Sequence, residues 1–142
     1  MAARAVDLRR LLGKAIMPRR IVVCIEDEPD VTELIRIICQ RNGFDFASAN
    51  AGEAGLELVR NKKPDLVLLD LMMPGLDGWT VYDRLKADAG TAHIPIIIVT
   101  ARAYYDPRVA QLRTVLADHL VTKPFGPAQL LTAIERVLRS PA

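Results

Sequence analysis

The chain has 142 residues, room for one domain with a real core, and its 51% apolar and 25% charged side chains describe neither a disordered tail nor a membrane span. The net charge of +2 is uneven: residues 1–20 hold Arg4, Arg9, Arg10, Lys14, Arg19 and Arg20 against Asp7 alone, so the remainder is acidic and lacks the basic face a nucleic-acid partner would need. The same charges interrupt any signal-peptide core, and no apolar run reaches membrane-spanning length, so a cytoplasmic protein without membrane insertion is expected.

Residues 1–19 form a basic extension. Leu8, Leu11, Leu12, Ala15 and Ile16 make an apolar stripe opposite Arg9, Arg10 and Lys14, suited to a helix that touches a partner, a like subunit or an anionic surface. The plainer reading, and the preferred one, is a disordered tail ahead of a start at Met17. Residues 20–142 then alternate two periods. IVVCI (21–25), DLVLL (65–69) and IPIIIV (94–99) are continuous apolar runs that suit strands buried on both faces, while FDFASA (44–49) and HLVT (119–122) are weaker strands. Between them, Val31, Leu34, Ile35, Ile38 and Cys39 follow one helical stripe, and Leu130, Leu131, Ile134, Val137 and Leu138 another. Pro29, Pro127 and Asp106-Pro107 mark helix starts, and Gly43 a helix end. Five strands alternating with five helices predict an α/β domain, a (βα)5 doubly wound parallel sheet. Cys24 and Cys39 lack metal-ligand spacing and read as reduced, buried thiols. Trp79 reads as partial core, and His93 and His119 as loop-edge residues.

In an open parallel sheet, ligands bind beyond the carboxyl ends of the strands. Those ends carry Glu26, Asp27 and Glu28 after the first strand, Asp70 after the third, Thr100 after the fourth and Lys123 after the fifth. Each alone has an ordinary reading as a solvated turn, a strand end or a surface lysine; four strands delivering polar groups to one rim describe a site. Carboxylates about 4 Å apart repel by a few kcal/mol at a near-surface dielectric, so Glu26, Asp27 and Asp70 raise one another's pKa or recruit a hard cation, Mg²⁺ before Mn²⁺. Lys123 and the Thr100 hydroxyl would then meet phosphoryl oxygens, with Asp70 as a carboxylate nucleophile forming an acyl phosphate.

VVCIEDEPD, PDLVLLDLMMPGLDG, PIIIVTA and VTKPF, in this order and spacing, resemble the receiver domain of two-component response regulators over residues 20–140. The resemblance implies the flavodoxin-like strand order 2-1-3-4-5. It implies Asp70 as phosphoacceptor, Thr100 as switch hydroxyl and Lys123 as phosphate-binding lysine. The metal ligands would be Glu26, Asp27, Asp70 and the main-chain carbonyl of Met72, and the Lys123–Pro124 bond would be cis. Its implied partners are a sensor histidine kinase or phosphotransfer protein, which donates the phosphoryl group, and a separate effector protein, with a homodimer as a further assembly. Such a domain is no enzyme beyond its own phosphorylation and dephosphorylation.

Departures from the family pattern are specific. Glu26 replaces an aspartate, and Leu120 stands where the family carries Tyr or Phe, leaving the switch to signal through packing or through Tyr104 and Tyr105. Met72 and Arg102 line the path of attacking water, with Arg102 expected to pair with the phosphate or with Glu26. The face of helix four, strand five and helix five (Tyr104, Tyr105, Arg108, Gln111, Leu120) is where such domains meet partners. Two alternatives compete: a pseudo-receiver that binds without phosphotransfer, which intact Asp70, Asp27 and Lys123 oppose, and an aspartate-nucleophile phosphatase of the haloacid-dehalogenase type. The latter needs a second carboxylate two residues after the nucleophile, where this chain has Met72.

Overall fold

The computed structural model describes residues 19–102 and 105–139. The helical stripe expected over residues 8–16, and Tyr104, lie outside them. Chain order is β1 (Ile21–Ile25), α1 (Pro29–Arg41), β2 (Asp45–Ala49), α2 (Gly52–Lys62), β3 (Leu66–Leu69), α3 (Gly78–Ala87), β4 (Ile96–Thr100), α4 (Pro107–Val115), β5 (Leu120–Thr122) and α5 (Pro127–Arg139). All strand pairs are parallel, in the order β2-β1-β3-β4-β5. This is the expected doubly wound sheet.

The continuous apolar runs have a direct cause: both faces of the sheet are covered, and alternate residues serve opposite cores. Val23, Ile25, Val67, Leu69, Ile96 and Ile98 pack with Leu56 and Val59 of α2, Val81 and Leu85 of α3 and Val109 of α4. Val22, Cys24, Leu66, Leu68, Ile97, Val99 and Val121 pack with Ile35, Ile38 and Cys39 of α1 and with Leu130, Ile134 and Val137 of α5. Full burial of each such side chain stabilises by about 1.5–3 kcal/mol, so the four buried residues of β3 fix the position of the residue that follows them. Strand β2 is an edge strand with no fully buried residue, which is why its sequence signal was weak. Both thiols are buried and free, and burial pushes Cys39 up to about 12 and Cys24 well above its ordinary value, so neither is reactive.

Several expectations need adjustment. Leu34 is 37% exposed, so the buried stripe of α1 is Ile35, Ile38 and Cys39. Strand β4 starts two residues later than the apolar run and takes in Thr100 as its last residue. His119 is half-buried, with Nδ1 2.9 Å from the Ile96 carbonyl oxygen, and so is fastened to β4. The helix signals hold: proline opens α1, α4 and α5, Asp106 caps α4, and Gly43 takes φ +88° just past α1. Arg19, placed in the extension, is tied to the folded body through Asp45 at 3.2 Å and the Gly43 carbonyl at 3.2 Å.

Candidate functional site

Three inter-strand backbone hydrogen bonds hold the sheet's carboxyl ends together. The Glu26 N–H donates to the Ala49 carbonyl at 3.0 Å, the Asp70 N–H to the Ile25 carbonyl at 3.0 Å, and the Lys123 N–H to the Thr100 carbonyl at 2.9 Å. The ladders therefore continue one residue beyond the strands, fixing the polar side chains as firmly as the strands themselves. Glu26, Asp70 and Thr100 are buried, at 2%, 2% and 0% exposure. Close backbone contact completes the frame. Gly78 opens α3 so near the loop that a Cβ there would lie 2.5 Å from Leu71 Cα and 2.7 Å from the Asp70 carbonyl oxygen.

The Lys123 ammonium is the centre of the charge arrangement. Its Nζ lies 2.8 Å from Oε1 of Glu26, 3.2 Å from Oε1 of Glu28 and 3.3 Å from Oδ2 of Asp70. The other Asp70 oxygen, Oδ1, accepts from the Met72 N–H at 3.0 Å, and Oε2 of Glu26 accepts from the Glu28 N–H at 3.1 Å. Burial, reinforced by the Asp70 charge, raises Glu26 to about 7 against the opposing contact with Lys123. Burial works against the charged form of Lys123, but Glu26, Asp70 and Glu28 outweigh it and raise its pKa. The Lys123–Pro124 bond is cis, as expected.

One lysine does not balance these acids. Glu26, Asp27 and Asp70 each offer an oxygen to a common point, the three oxygens lying within 4.8 Å of one another. Oε1 of Glu26 and Oδ1 of Asp27 are buried without an aligned hydrogen bond, although the former is ion-paired with Lys123. Buried carboxylate oxygens left unpaired are costly, and an all-oxygen donor set with excess negative charge is what a hard divalent ion requires. The residues present fit such an ion. Beside them an open cleft of about 600 Å³ runs along α1 and the ends of β2 and α2, bordered by Glu26, Asp27, Pro29, Thr32, Asn50 and Leu58 among others.

The raised Glu26 predicts a pH effect whose sign is opposite to that of an ordinary paired carboxylate. Between pH 4.5, its ordinary value, and about 7, the folded chain keeps a proton that the unfolded chain releases, so stability falls as pH rises through that window. The loss is on the order of 3 kcal/mol. Urea denaturation in chelator-treated buffer at pH 5 and pH 8 is expected to show the decline in the wild type and a flatter profile in Glu26→Gln; equal slopes would refute the assignment.

The structure brings Glu26, Asp27, Asp70 and Lys123 together, and the Met72 amide to Asp70. Thr100 ends the neighbouring strand with its Oγ1 accepting from the Arg102 N–H at 3.1 Å. Of the two partners expected for Arg102, Glu26 is taken by Lys123, and the Arg102 guanidinium lies 4.0 Å from Asp106. Sequence reasoning missed the part played by Glu28 on Lys123. It also missed the Trp79 indole, whose Nε1–H donates to Oδ2 of Asp106 at 2.7 Å, a contact that no spacing announces.

A doubly wound sheet with an acidic rim and a lysine at its carboxyl end is the arrangement of a receiver domain, and comparison with known proteins agrees. The model of the response regulator receiver domain matches residues 22–135, and the chain belongs to that family. It is 37% identical over 123 residues to the phosphate regulon transcriptional regulatory protein PhoB of Escherichia coli, covering 87% of this chain and 53% of that one. It is 40% identical over 123 residues to the DNA-binding response regulator MtrA of Mycolicibacterium smegmatis, covering 87% and 52%. The chain thus spans about half the length of the curated relatives it matches. Among solved structures, the BeF3-activated N-terminal receiver domain of Klebsiella pneumoniae RstA is 30% identical with a TM-score of 0.71, covering 84% of this chain and 99% of that one. The receiver domain of the Pseudomonas aeruginosa sensor histidine kinase PA1611, with a magnesium ion in its active-site cleft, shares the fold at 23% identity and a TM-score of 0.75, covering 86% and 99%.

Proposed function

We propose that this receiver takes a phosphoryl group onto Asp70 from a phosphohistidine of a sensor histidine kinase or phosphotransfer protein and thereby alters its surface toward a downstream effector. The observation that carries this reading is Asp70 itself, buried at the end of β3, 3.3 Å from Lys123 and within reach of two further acids. Glu26, Asp27, Asp70 and the Met72 carbonyl would hold Mg²⁺, with Mn²⁺ as a substitute. A bound divalent ion would neutralise charge on the phosphoryl oxygens and orient them. An Asp70 oxygen attacks phosphorus, an acyl phosphate O–P bond forms, and the N–P bond breaks with its electron pair returning to the imidazole. Lys123 faces the charge that develops, and the Thr100 hydroxyl donates to a phosphoryl oxygen once it leaves the Arg102 amide.

Hydrolysis would return the free carboxylate and phosphate, so the domain acts as a catalyst only on itself. Position 72 favours this over turnover of external phosphate esters, because it presents a half-exposed thioether where a general acid would be needed. A cytoplasmic setting belongs to this reading, since a phosphohistidine donor of this kind is cytoplasmic; no described helix is long and apolar enough to cross a membrane. The test is acetyl phosphate with Mg²⁺ followed by intact mass measurement. Wild type is expected to gain one phosphoryl group, Asp70→Asn none, and chelation of the metal is expected to abolish the gain. A wild type without the adduct, or an Asp70→Asn variant that still acquires it, would overturn the proposal.

A further inference from the structure

Outside the acidic site, one densely connected polar group among the described residues is the Asp106 carboxylate. Its Oδ1 caps α4, accepting from the N–H groups of Arg108 at 2.9 Å and Val109 at 3.4 Å. Its Oδ2 accepts from the Trp79 indole on α3 at 2.7 Å and lies 4.0 Å from the Arg102 guanidinium. Arg108 closes the arrangement, stacking 4.2 Å from the indole ring centroid and bonding Asp83 of α3 at 2.5 and 3.0 Å. The indole in turn meets Tyr82 edge-on, with ring centroids 5.3 Å apart. The Asp106 side chain is only 12% exposed, so this charge-assisted bond is shielded from water.

We propose that Trp79 and Asp106 are positioning residues of the switch: Asp106 fastens the segment after β4 to α3, and so ties the setting of Thr100 to the α3–α4 face. The proposal rests on the phosphoacceptor reading of Asp70. The connection is continuous. Thr100 Oγ1 accepts from the Arg102 N–H at 3.1 Å, and the Arg102 carbonyl accepts from the Asp106 N–H at 3.3 Å, so residues 100, 102 and 106 are linked by successive hydrogen bonds. When the Thr100 hydroxyl turns to a phosphoryl oxygen on Asp70, the Arg102 amide loses its acceptor, and the strain reaches α3 at Asp106. Helix α4 buries one side chain fully, Val109, with Leu112 half-buried beside it, so polar links to α3, Asp106 to Trp79 and Arg108 to Asp83, make up a large share of its attachment. Leu120 of β5, half-buried against the same core, offers only apolar packing, so the polar link runs through α3.

The test uses acetyl phosphate with Mg²⁺, and intact mass to give the phosphorylated fraction. Trp79 is the only tryptophan, so its emission reports on the bond to Asp106. Wild-type emission is expected to change in proportion to the adduct. Asp106→Asn, whose amide can keep the cap through its oxygen but then turns an N–H toward the indole, is expected to start near the phosphorylated emission and move little. Trp79→Phe is expected to gain the adduct to the wild-type extent, with α4 amides exchanging about tenfold faster beforehand and no further acceleration on phosphorylation. An adduct on wild type without an emission change overturns the proposal and spares the Asp70 reading. So does an equal acceleration of α4 exchange by phosphorylation in Trp79→Phe and wild type, which is the pattern of a merely structural contact. Absence of the wild-type adduct removes both.

Discussion

Lys123→Met is expected to slow phosphorylation of Asp70 by acetyl phosphate at least about 100-fold, because it removes a preorganised side-chain cation facing the charge that develops on the phosphoryl group. The ammonium is held by three carboxylate oxygens at 2.8 to 3.3 Å and is only 13% exposed, so it is in place before the donor arrives. No reorganisation is needed at the moment of transfer. The substitution also strands Glu26 and Asp70, but Glu26 already titrates near 7 and can neutralise by taking a proton. The fold is therefore expected to survive, least comfortably above neutral pH. The rate of mass gain at saturating Mg²⁺ checks this, with circular dichroism to confirm folding. A folded variant slowed less than about tenfold would show that the lysine is a structural counter-ion and not a participant.

Gly78→Ala is expected to destabilise the domain by about 3 kcal/mol, toward the upper end of overpacking effects. The added methyl would meet three backbone atoms of one segment: Leu71 Cα at 2.5 Å, the Asp70 carbonyl oxygen at 2.7 Å and the Leu71 carbonyl oxygen at 3.0 Å. Backbone cannot rotate away as a side chain can. Either α3 backs off, opening gaps around Val81 and Leu85, or the peptide following Asp70 moves and takes the phosphoacceptor out of register with Lys123. Urea denaturation and the phosphorylation rate are both expected to suffer. Gly55→Ala supplies the contrast: its clash, at 2.6 to 2.8 Å, is with the Ile25 side chain, which can repack, so its cost should be smaller. Equal costs would mean that the close approach at Gly78 is not what holds the site's frame.

Much of this architecture was legible in the chain because the physical signals are local. A strand covered on both faces must be apolar at every position, so β1, β3 and β4 announced themselves. The step from Leu69 to Asp70 marked where one of them reaches the rim. The edge strand β2 was fainter because one side of its ladder has no neighbour and its side chains are half exposed. Helix α4 showed no stripe because it buries one residue fully. Leu34 fitted the helical period and still faces solvent, since periodicity places a residue on a face but does not say how wide a strip the sheet covers.

What the sequence by itself determined was which elements form and which polar residues terminate them, since burial period and strand-end chemistry are written within a few consecutive residues. Which side chains then meet was decided only by tertiary structure. Lys123 reaches Asp70 across 53 positions, and the same ammonium takes Glu26, one of the two partners expected of Arg102. Trp79 finds Asp106 across 27 positions, through an indole N–H on a helix face that looked like ordinary partial core. The physical reason is that a charged or hydrogen-bonding group takes the nearest partner in a poorly solvated place. Nearness there depends on strand order and on how closely α3 sits against the chain after Asp70, and neither is a property of any local stretch.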